Sequence, residues 1–272
     1  MLIVRELCKN FGGLKAVDEL SFNVKRGTVH SIIGPNGAGK TTLINMITGI
    51  YSVTSGEIYL RKDDDIKCVE EDDIKDMIHG HRENITNIPM HKLVHKGICR
   101  TFQHLEICGS MSALENIMLG FDKFMSKNII QTCLRTKRIK EDEKKFEYEA
   151  MKYLNMFNLE KIAYKQADSL SYGVLKKLEI IRALATKPKL ILFDEPVAGL
   201  NPKETDEISQ IIKEVANEGL SVILVEHDMK MVMKISDEIT VMNFGKKLAY
   251  GKPEEIANNK EVIKAYLGSN YA

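Results

Sequence analysis

The sequence lacks any apolar run that approaches the roughly 20 residues of a membrane-spanning helix. It also lacks a signal-peptide core near its start, because the charged residues Arg5, Glu6 and Lys9 interrupt the first positions. We therefore expect any association with a membrane to go through a partner protein.

An excess of charge of one sign is missing as well. The 272 residues include 39 Lys and Arg and 38 Asp and Glu, a net charge of +1, so no strong field favours nucleic acid or anionic lipid as a partner.

Five cysteines are scattered along the chain, and none forms a Cys-x-x-Cys pair. They are predicted to be reduced thiols of a cytosolic protein, which excludes a zinc site or a disulfide framework.

What the sequence does contain is a phosphate-binding loop pattern (P-loop), Gly-x4-Gly-Lys-Thr. Apolar residues up to Ile33 predict a buried strand before it, and Leu43–Ile47 predict a helix after it, which is the context that the motif needs. Lys40 would reach the β- and γ-phosphates of a nucleotide, and the Thr41 hydroxyl would bind Mg²⁺. The predicted phosphate-binding residues are Gly34, Pro35, Asn36, Gly37, Ala38, Gly39, Lys40, Thr41 and Thr42.

Polar residues follow two further apolar runs. Asp194 and Glu195 come directly after Leu190–Phe193, and His227 comes shortly after Ser221–Val225. The carboxyl ends of parallel strands share one edge of an α/β sheet, and ligands bind there. We predict that Asp194 holds the Mg²⁺ shell and that Glu195 orients or deprotonates the attacking water. His227 is predicted to contact the γ-phosphate.

Three residues have both a functional and an ordinary interpretation at this point. Phe11, just before a Gly-Gly turn, is either a ring exposed to stack on adenine or a core aromatic at a strand end. Gln103 either binds Mg²⁺ or its water, or is a surface amide. Ser171, two residues before Gly173, suits the N-cap of a helix, and an ordinary capped helix is favoured over a second anion site.

A change of composition marks the stretch of about 61–90. Acidic blocks at Asp63–Asp65 and Glu70–Asp73 are followed by a segment with histidines that reaches His95. Carboxylates and histidines together allow a metal-site interpretation, but their spacing fits no tight ligand set. Charge runs of this kind are usually solvated, so we predict a solvated insertion.

The remaining patterns predict how the chain is organised. Alternating apolar residues over 1–33 indicate a small antiparallel β layer, and residues 112–165 are rich in helix formers with one apolar face. We predict an α/β fold with a P-loop NTPase (RecA-like) core and a mostly parallel sheet, the N-terminal antiparallel β layer and an inserted α-helical subdomain. The predicted division is a core of 1–103 and 171–252, a helical subdomain of 104–170 and a C-terminal helical tail of 253–272.

Taken in order, these motifs resemble the ATP-binding subunits of ABC transporters, and among them those of branched-chain amino acid importers. The resemblance covers nearly the whole chain, and the ordered set is far more specific than the P-loop alone. The set is Phe11, Gly34–Thr42, Gln103, Leu170–Gly173, Leu190–Glu195, Gly199–Pro202 and His227. Arg100–His104, Ala198–Thr205 and Val262–Gly268 carry the likeness to the amino acid importers.

The resemblance implies an ATPase, peripheral on the cytoplasmic side of the cell membrane, with ATP and Mg²⁺ as cofactors. Its partners would be transmembrane permease subunits, a second ATP-binding subunit that is identical or related, and indirectly an extracytoplasmic substrate-binding protein. Phe11 would stack on adenine, Gln103 would sense Mg²⁺ and the permease together, and Glu195 would be the catalytic carboxylate. Ser171 and Gly173 would close over ATP held by the opposite subunit, which replaces the ordinary interpretation of Ser171. His227 would be the switch histidine.

Two departures from the family pattern stand out. Val174 occupies the place where the signature motif usually continues with Gln, which removes a polar contact at the dimer seam. The acidic stretch at about 61–90 is also longer than the pattern leads us to expect.

Alternatives to amino acid import stay open at this level. The ATPase of a transporter for urea, amides or an exported lipid would share every motif, because the resemblance places no residue of this chain against cargo. A soluble ABC-type ATPase that acts on ribosomes or DNA is disfavoured, since the chain has one ATPase core, no basic patch and no extended heptads.

Overall fold

A computed structural model describes residues 1–61, 82–101, 105–124 and 137–267. Gln103, the acidic blocks of the predicted insertion and residues 268–272 lie outside the described residues. Within the described part, two sheets with helices packed around them form the fold.

The first sheet is antiparallel and begins at the N-terminus. It consists of β1 (Leu2–Phe11), β2 (Leu14–Val24), β4 (Ser55–Arg61) and β5 (Arg82–Asn84), in the order β2-β1-β4-β5. The predicted antiparallel β layer is thereby confirmed. Strand β5 extends it into the stretch for which the sequence predicted only a solvated insertion.

The second sheet is parallel except for its last pair of strands. Its order is β10-β9-β3-β8-β7-β6, and the β9–β10 pair is an antiparallel hairpin. Strands β7 and β8 are buried along their whole length, which explains their nearly continuous apolar sequences. The strands are β3 (Val29–Ile33), β6 (Ile98–Arg100), β7 (Leu190–Asp194), β8 (Ser221–Val225), β9 (Glu238–Asn243) and β10 (Lys246–Gly251).

Helices connect these strands and form the predicted helical insert. The buried residues Phe146, Ala150 and Leu154 lie on one face of α4, and this helix packs with α3 and α5. The α/β core with its inserted helices is therefore confirmed. The helices are α1 (Lys40–Ile47), α2 (Met90–Leu93), α3 (Ala113–Met118), α4 (Lys137–Met156), α5 (Tyr172–Ala185), α6 (Pro202–Asn217), α7 (Met229–Ile235), α8 (Pro253–Ala257) and α9 (Lys260–Leu267).

A buried polar cluster joins β3 and β9. His30 is fully buried, with Nε2 2.9 Å from the Thr240 hydroxyl. Its Nδ1 lies 3.8 Å from Glu238 Oε2, beyond hydrogen-bond length, whereas Lys25 Nζ contacts Glu238 Oε1 at 2.6 Å. The His30 ring, Lys25 and Tyr250 lower the pKa of Glu238 to about 2.

We predict that Glu238→Gln lowers the free energy of unfolding near pH 7 by about 2 kcal/mol. A carboxyl pKa lowered from 4.5 to about 2 is worth at most ~3.4 kcal/mol, and solvent around the exposed Lys25 partner reduces this contribution. The ionised carboxylate stabilises the fold above the unfolded pKa of about 4.5, and this contribution is lost as the pH falls towards about 2. Urea unfolding of the intact protein and the variant at pH 7 and pH 2.5 measures this contribution. Glu147→Gln, at an exposed position of α4, is the control; a deficit in Glu238→Gln that is equal at both pH values contradicts the prediction.

Candidate active site

The residues predicted to act on a nucleotide follow neighbouring strands of the parallel sheet. The P-loop follows β3, Glu226 and His227 follow β8, Asp194 ends β7 and Glu195 comes directly after it. Because β3, β8 and β7 are parallel neighbours, their carboxyl ends meet at one edge of the sheet. Gln103, predicted to lie at the same edge, is outside the described residues.

The P-loop backbone is shaped by its glycines. A Cβ on Gly34 would stand 2.2 Å from the carbonyl oxygen of Met242, and one on Gly39 would stand 2.4 Å from that of Ala16. A Cβ on Gly37, where φ is 79°, would meet nothing within 4 Å. The loop is therefore packed tightly against β2 and β9 at two glycines and borders open space at the third.

Lys40, the first residue of α1, lies over this loop. Its Nζ donates hydrogen bonds to the carbonyl oxygens of Gly34 at 2.7 Å and Pro35 at 3.1 Å. Partial burial lowers the pKa of Lys40, while Glu195 and Asp194 act in the opposite direction, so both carboxylates are close to the loop. The first turn of a helix leaves N–H groups without intrahelical acceptors and carries partial positive charge. Loop, helix end and ammonium together suit an anion.

The other P-loop residues differ in their exposure to solvent. Asn36 is exposed and Ala38 is buried, with its N–H bonded to the Pro35 carbonyl at 3.1 Å. The Ala38 carbonyl accepts a hydrogen bond from Gly245 in the β9–β10 turn at 3.1 Å. Thr41 is exposed and Thr42 half-buried in the first turn of α1.

Asp194 is buried and bound by an arginine. Arg100 Nη2 lies 2.7 Å from Asp194 Oδ2, and the two side chains are 5% and 4% exposed. Arg100 Nη1 also donates hydrogen bonds to Oδ1 of Asn45 on α1 at 2.7 Å and to Oγ1 of Thr48, directly after α1, at 3.2 Å. The sequence analysis assigned Arg100 no role, and its place at the end of a short strand before Gln103 was the available signal.

Glu195 and His227 approach each other beside this pair. Glu195 has φ of 51°, and its N–H donates to the Val225 carbonyl at 2.9 Å. A positive φ in a residue with a side chain is strained, and such strain concentrates at functional sites. His227 is 68% exposed, and its Nδ1 lies 4.0 Å from Glu195 Oε1. The structure thus brings these two predicted catalytic residues together.

Glu226 is a second residue that the sequence analysis missed. Its buried carboxylate accepts hydrogen bonds from the backbone N–H groups of Val197 at 3.2 Å, His227 at 2.9 Å and Asp228 at 3.3 Å. Burial raises the pKa of Glu226, and these hydrogen bonds oppose the shift. The carboxylate holds the segments after β7 and β8 together and so fixes the backbone that carries His227. A carboxylate directly after an apolar strand was its signal.

Phe11 ends β1 and is 44% exposed, so it is not a core aromatic. The Tyr51 ring meets it edge-on with centroids 5.5 Å apart, and Lys9 Nζ lies 5.0 Å from its centroid. Of the two interpretations left open, the exposed ring agrees with the structure. Stacking on adenine stays a prediction.

Ser171 and Gly173 lie at the start of α5, against the start of α6. Ser171 is exposed at the N-cap position, and among the described residues its side chain makes no capping hydrogen bond. A Cβ on Gly173 would stand 2.2 Å from Glu204 Oε1. Glu204 in turn closes the capping box with Asn201 that begins α6. Gly173 therefore packs closely against Glu204, in the segment that follows Glu195 in sequence.

The C-terminal helix α9 also reaches the P-loop. Val262 belongs to one buried cluster with Ile33, the residue before Gly34. Tyr266 is 39% exposed; its partial burial raises the pKa of the hydroxyl, and a hydrogen bond from the Gly34 backbone opposes the shift. The sequence predicted only a helical tail here, although Tyr266 lies within the motif that carried the family likeness.

Among the described residues, no group of three or more His, Cys, Asp or Glu side chains could hold a metal ion. The same part of the chain contains no helix that is long and apolar enough to cross a membrane.

Known proteins resemble this chain over nearly its whole length. A family model described as ABC transporter matches residues 17–198, and one described as branched-chain amino acid ATP-binding cassette transporter matches 246–272. The high-affinity branched-chain amino acid transport ATP-binding protein BraF of Pseudomonas aeruginosa is 40% identical over 269 residues, which are 98% of each chain.

Solved structures of ATP-binding cassettes are similar to this chain in fold as well as in sequence. The ADP conformation of an ATP-binding cassette of an ABC transporter has a TM-score of 0.79 and 32% identity, with 99% of each chain covered. A dimeric ATP-binding cassette with bound ADP and Pi, in a post-hydrolysis state, has a TM-score of 0.69 and 25% identity over 93% of this chain and 99% of that one. The likeness over the whole length and the motifs gathered at one sheet edge show that this chain belongs to the ABC transporter family, as one of its ATP-hydrolysing cassettes.

Proposed function

We propose that this cassette hydrolyses Mg·ATP in a pocket shared by two subunits and thereby powers the uptake of branched-chain amino acids through membrane permeases. The observation that carries the proposal is the position of Lys40, which lies over the P-loop and is coupled electrostatically to both Asp194 and Glu195. An ammonium, two carboxylates and an open glycine loop are the groups that phosphoryl transfer from ATP needs.

The residues at this edge suit a nucleoside triphosphate with Mg²⁺. The space beside Gly37 leaves room for a phosphate, and the N–H groups at the start of α1 suit its charge. Thr41 supplies a hydroxyl and Asp194 a carboxylate, which are the hard oxygen ligands that Mg²⁺ prefers. Arg100 binds Oδ2 of Asp194, and the carboxylate held in this way would bind the metal or its water. Gln103 is proposed as a further metal-site residue on the family resemblance alone.

Hydrolysis transfers the γ-phosphoryl group to water. Glu195 accepts a proton from that water while the water oxygen bonds to the γ-phosphorus. The bond between the γ-phosphorus and the bridging oxygen of the leaving ADP breaks. Lys40 stabilises the negative charge on the phosphate oxygens, and bound Mg²⁺ would neutralise part of the same charge. His227, beside Glu195, contacts the γ-phosphate, and Phe11 holds the adenine ring.

A second subunit completes each pocket. Ser171 and Gly173 lie at a helix N-terminus, where partial positive charge favours phosphate. The exposed Ser171 hydroxyl would contact the γ-phosphate of ATP held by the P-loop of the opposite subunit. The likeness to a dimeric cassette supports this arrangement. Residues 104–170, the helical subdomain between Gln103 and Ser171, would pass dimer closure to permease loops at the cytoplasmic face of the membrane.

The relatives' names favour branched-chain amino acids as cargo, delivered by an extracytoplasmic substrate-binding protein. The match of residues 246–272 to the branched-chain amino acid cassette model points the same way.

Uptake of labelled substrates by cells that lack this chain tests the cargo. Labelled leucine uptake is expected to fall at least about tenfold, because removal of ATP coupling removes active import. Expression of the intact chain is expected to restore uptake, whereas Lys40→Ala is not. Urea uptake serves as the comparison. Unchanged leucine uptake together with lost urea uptake would overturn the assignment of cargo and leave the ATPase assignment in place.

A further inference from the structure

Arg100 joins three parts of the active site that are distant in sequence. It ends β6, and its guanidinium binds Asp194 Oδ2 at the end of β7 at 2.7 Å. The other terminal nitrogen, Nη1, donates to Asn45 at 2.7 Å and to Thr48 at 3.2 Å. Asn45 belongs to α1, the helix that follows the P-loop, and Thr48 comes directly after that helix. Gln103 follows Arg100 by three residues in the sequence.

The geometry of these contacts restricts the Asp194 carboxylate. A guanidinium is planar and presents its N–H groups in a fixed fork, so the position of Nη1 on α1 sets the direction of Nη2. Nη2 in turn holds one carboxylate oxygen. Because Arg100 and Asp194 are 5% and 4% exposed, water screens this pair little, and the hydrogen bond is charge-assisted.

We propose that Arg100 is a positioning residue for nucleotide hydrolysis. It keeps the Asp194 carboxylate in a fixed position relative to α1, where the carboxylate would hold the metal bound to the nucleotide. The same guanidinium ties the end of β6 to the P-loop helix and to Asp194. The inference rests on the proposed function, because it assigns Arg100 to the metal site of the Mg·ATP reaction.

Arg100→Lys separates alignment from charge. Lysine keeps the positive charge but lacks the planar fork, so it cannot hold Asp194 and α1 in the same fixed geometry. We expect the Mg²⁺ concentration for half-maximal ATPase activity to rise about tenfold, since outer-shell partners of metal ligands typically contribute 10–100-fold. ATP binding in EDTA, followed with a fluorescent ATP analogue, is expected to stay within about twofold.

A readout independent of activity is the binding of Mn²⁺ to the ADP complex, measured by electron paramagnetic resonance. The same roughly tenfold loss is expected for Arg100→Lys. Thr48→Val removes one contact of Nη1 and leaves the Asp194 pair intact, so a smaller loss in the same direction is expected. The control is Lys213→Gln, which breaks a 2.7 Å ion pair with Asp237 just before β9. It is expected to lower the thermal midpoint without changing Mn²⁺ affinity.

A double-mutant cycle with Asp194→Asn completes the test. Because Arg100 is proposed to act through Asp194, Arg100→Lys is expected to add little to the loss of Mn²⁺ affinity once the carboxylate is gone. A folded Arg100→Lys protein with unchanged Mn²⁺ affinity and Mg²⁺ dependence would overturn the inference, as would additive losses in the cycle. Failure of the intact protein to hydrolyse Mg·ATP would instead overturn the proposed function.

Discussion

Replacing Glu195 with Gln is expected to lower the turnover of ATP by about 10²–10⁴-fold, the usual contribution of a general base. Glutamine is nearly isosteric with glutamate but cannot accept the proton of the attacking water. The backbone at Glu195 is held by its hydrogen bond to Val225, so the variant keeps the local geometry. Lys40 and the P-loop are unchanged, and ATP binding is therefore retained.

Two measurements test this expectation. The first is turnover under saturating ATP, and the second is gel filtration with ATP, in which the variant is expected to elute as a stable dimer because hydrolysis no longer reopens it. Glu214→Gln, at an exposed position of α6, is the matched control and should behave like the intact protein. Rapid hydrolysis by Glu195→Gln, or a protein that hydrolyses ATP and remains a monomer, would contradict the assigned mechanism.

Lys40→Ala is expected to weaken ATP binding by about 10–100-fold, since a hydrogen bond to a charged group contributes roughly 1.5–3 kcal/mol, and to abolish measurable turnover. The fold is expected to persist, because the Lys40 ammonium bonds only carbonyl oxygens of its own loop, those of Gly34 and Pro35, among the described residues. Thermal unfolding without ATP measures the stability of the fold, and the change of the midpoint on adding ATP measures ATP binding. ATP should raise the midpoint of the intact protein and leave that of the variant nearly unchanged.

The same variant tests whether two subunits share a pocket. Ser171→Arg is expected to be inactive alone, because the longer side chain blocks closure over the opposite nucleotide. A mixture of Lys40→Ala and Ser171→Arg subunits forms some dimers with one complete pocket, so activity should reappear.

A mixture of Lys40→Ala with Glu195→Gln is the control for that experiment. Both residues belong to the half-pocket of one subunit, so every pocket of the mixed dimer lacks one of them and no activity should return. Equal behaviour of the two mixtures would refute a pocket built from both subunits.

The parts of the site that could be predicted from sequence are those set by local rules. The P-loop has its glycines, its preceding strand and its following helix within about 20 residues, as the motif requires. The pair Asp194-Glu195 ends a wholly apolar strand, and Asn201 with Glu204 forms the capping box expected of that spacing.

Other features had no local signal of comparable strength. Strand β5 has three residues and pairs with β4, so neither length nor alternation could indicate it after the acidic blocks. The partners of the Glu226 carboxylate include Val197, 29 residues earlier in the chain. Tyr266 reaches Gly34 because α9 packs beside the end of β3.

By itself, the sequence determined the fold class, the order of the motifs and the chemical groups available to bind ATP, because apolar periodicity, glycine conformation and helix capping act over short stretches of chain. The tertiary structure decided which of those groups touch. Arg100 and Asp194 are 94 residues apart, and they meet because β6 pairs with β7 in one register while Asn45 of α1 holds the Arg100 guanidinium. Strand order and register arise from the packing of the whole core, so the contacts that align the catalytic carboxylates appear only when the chain is folded.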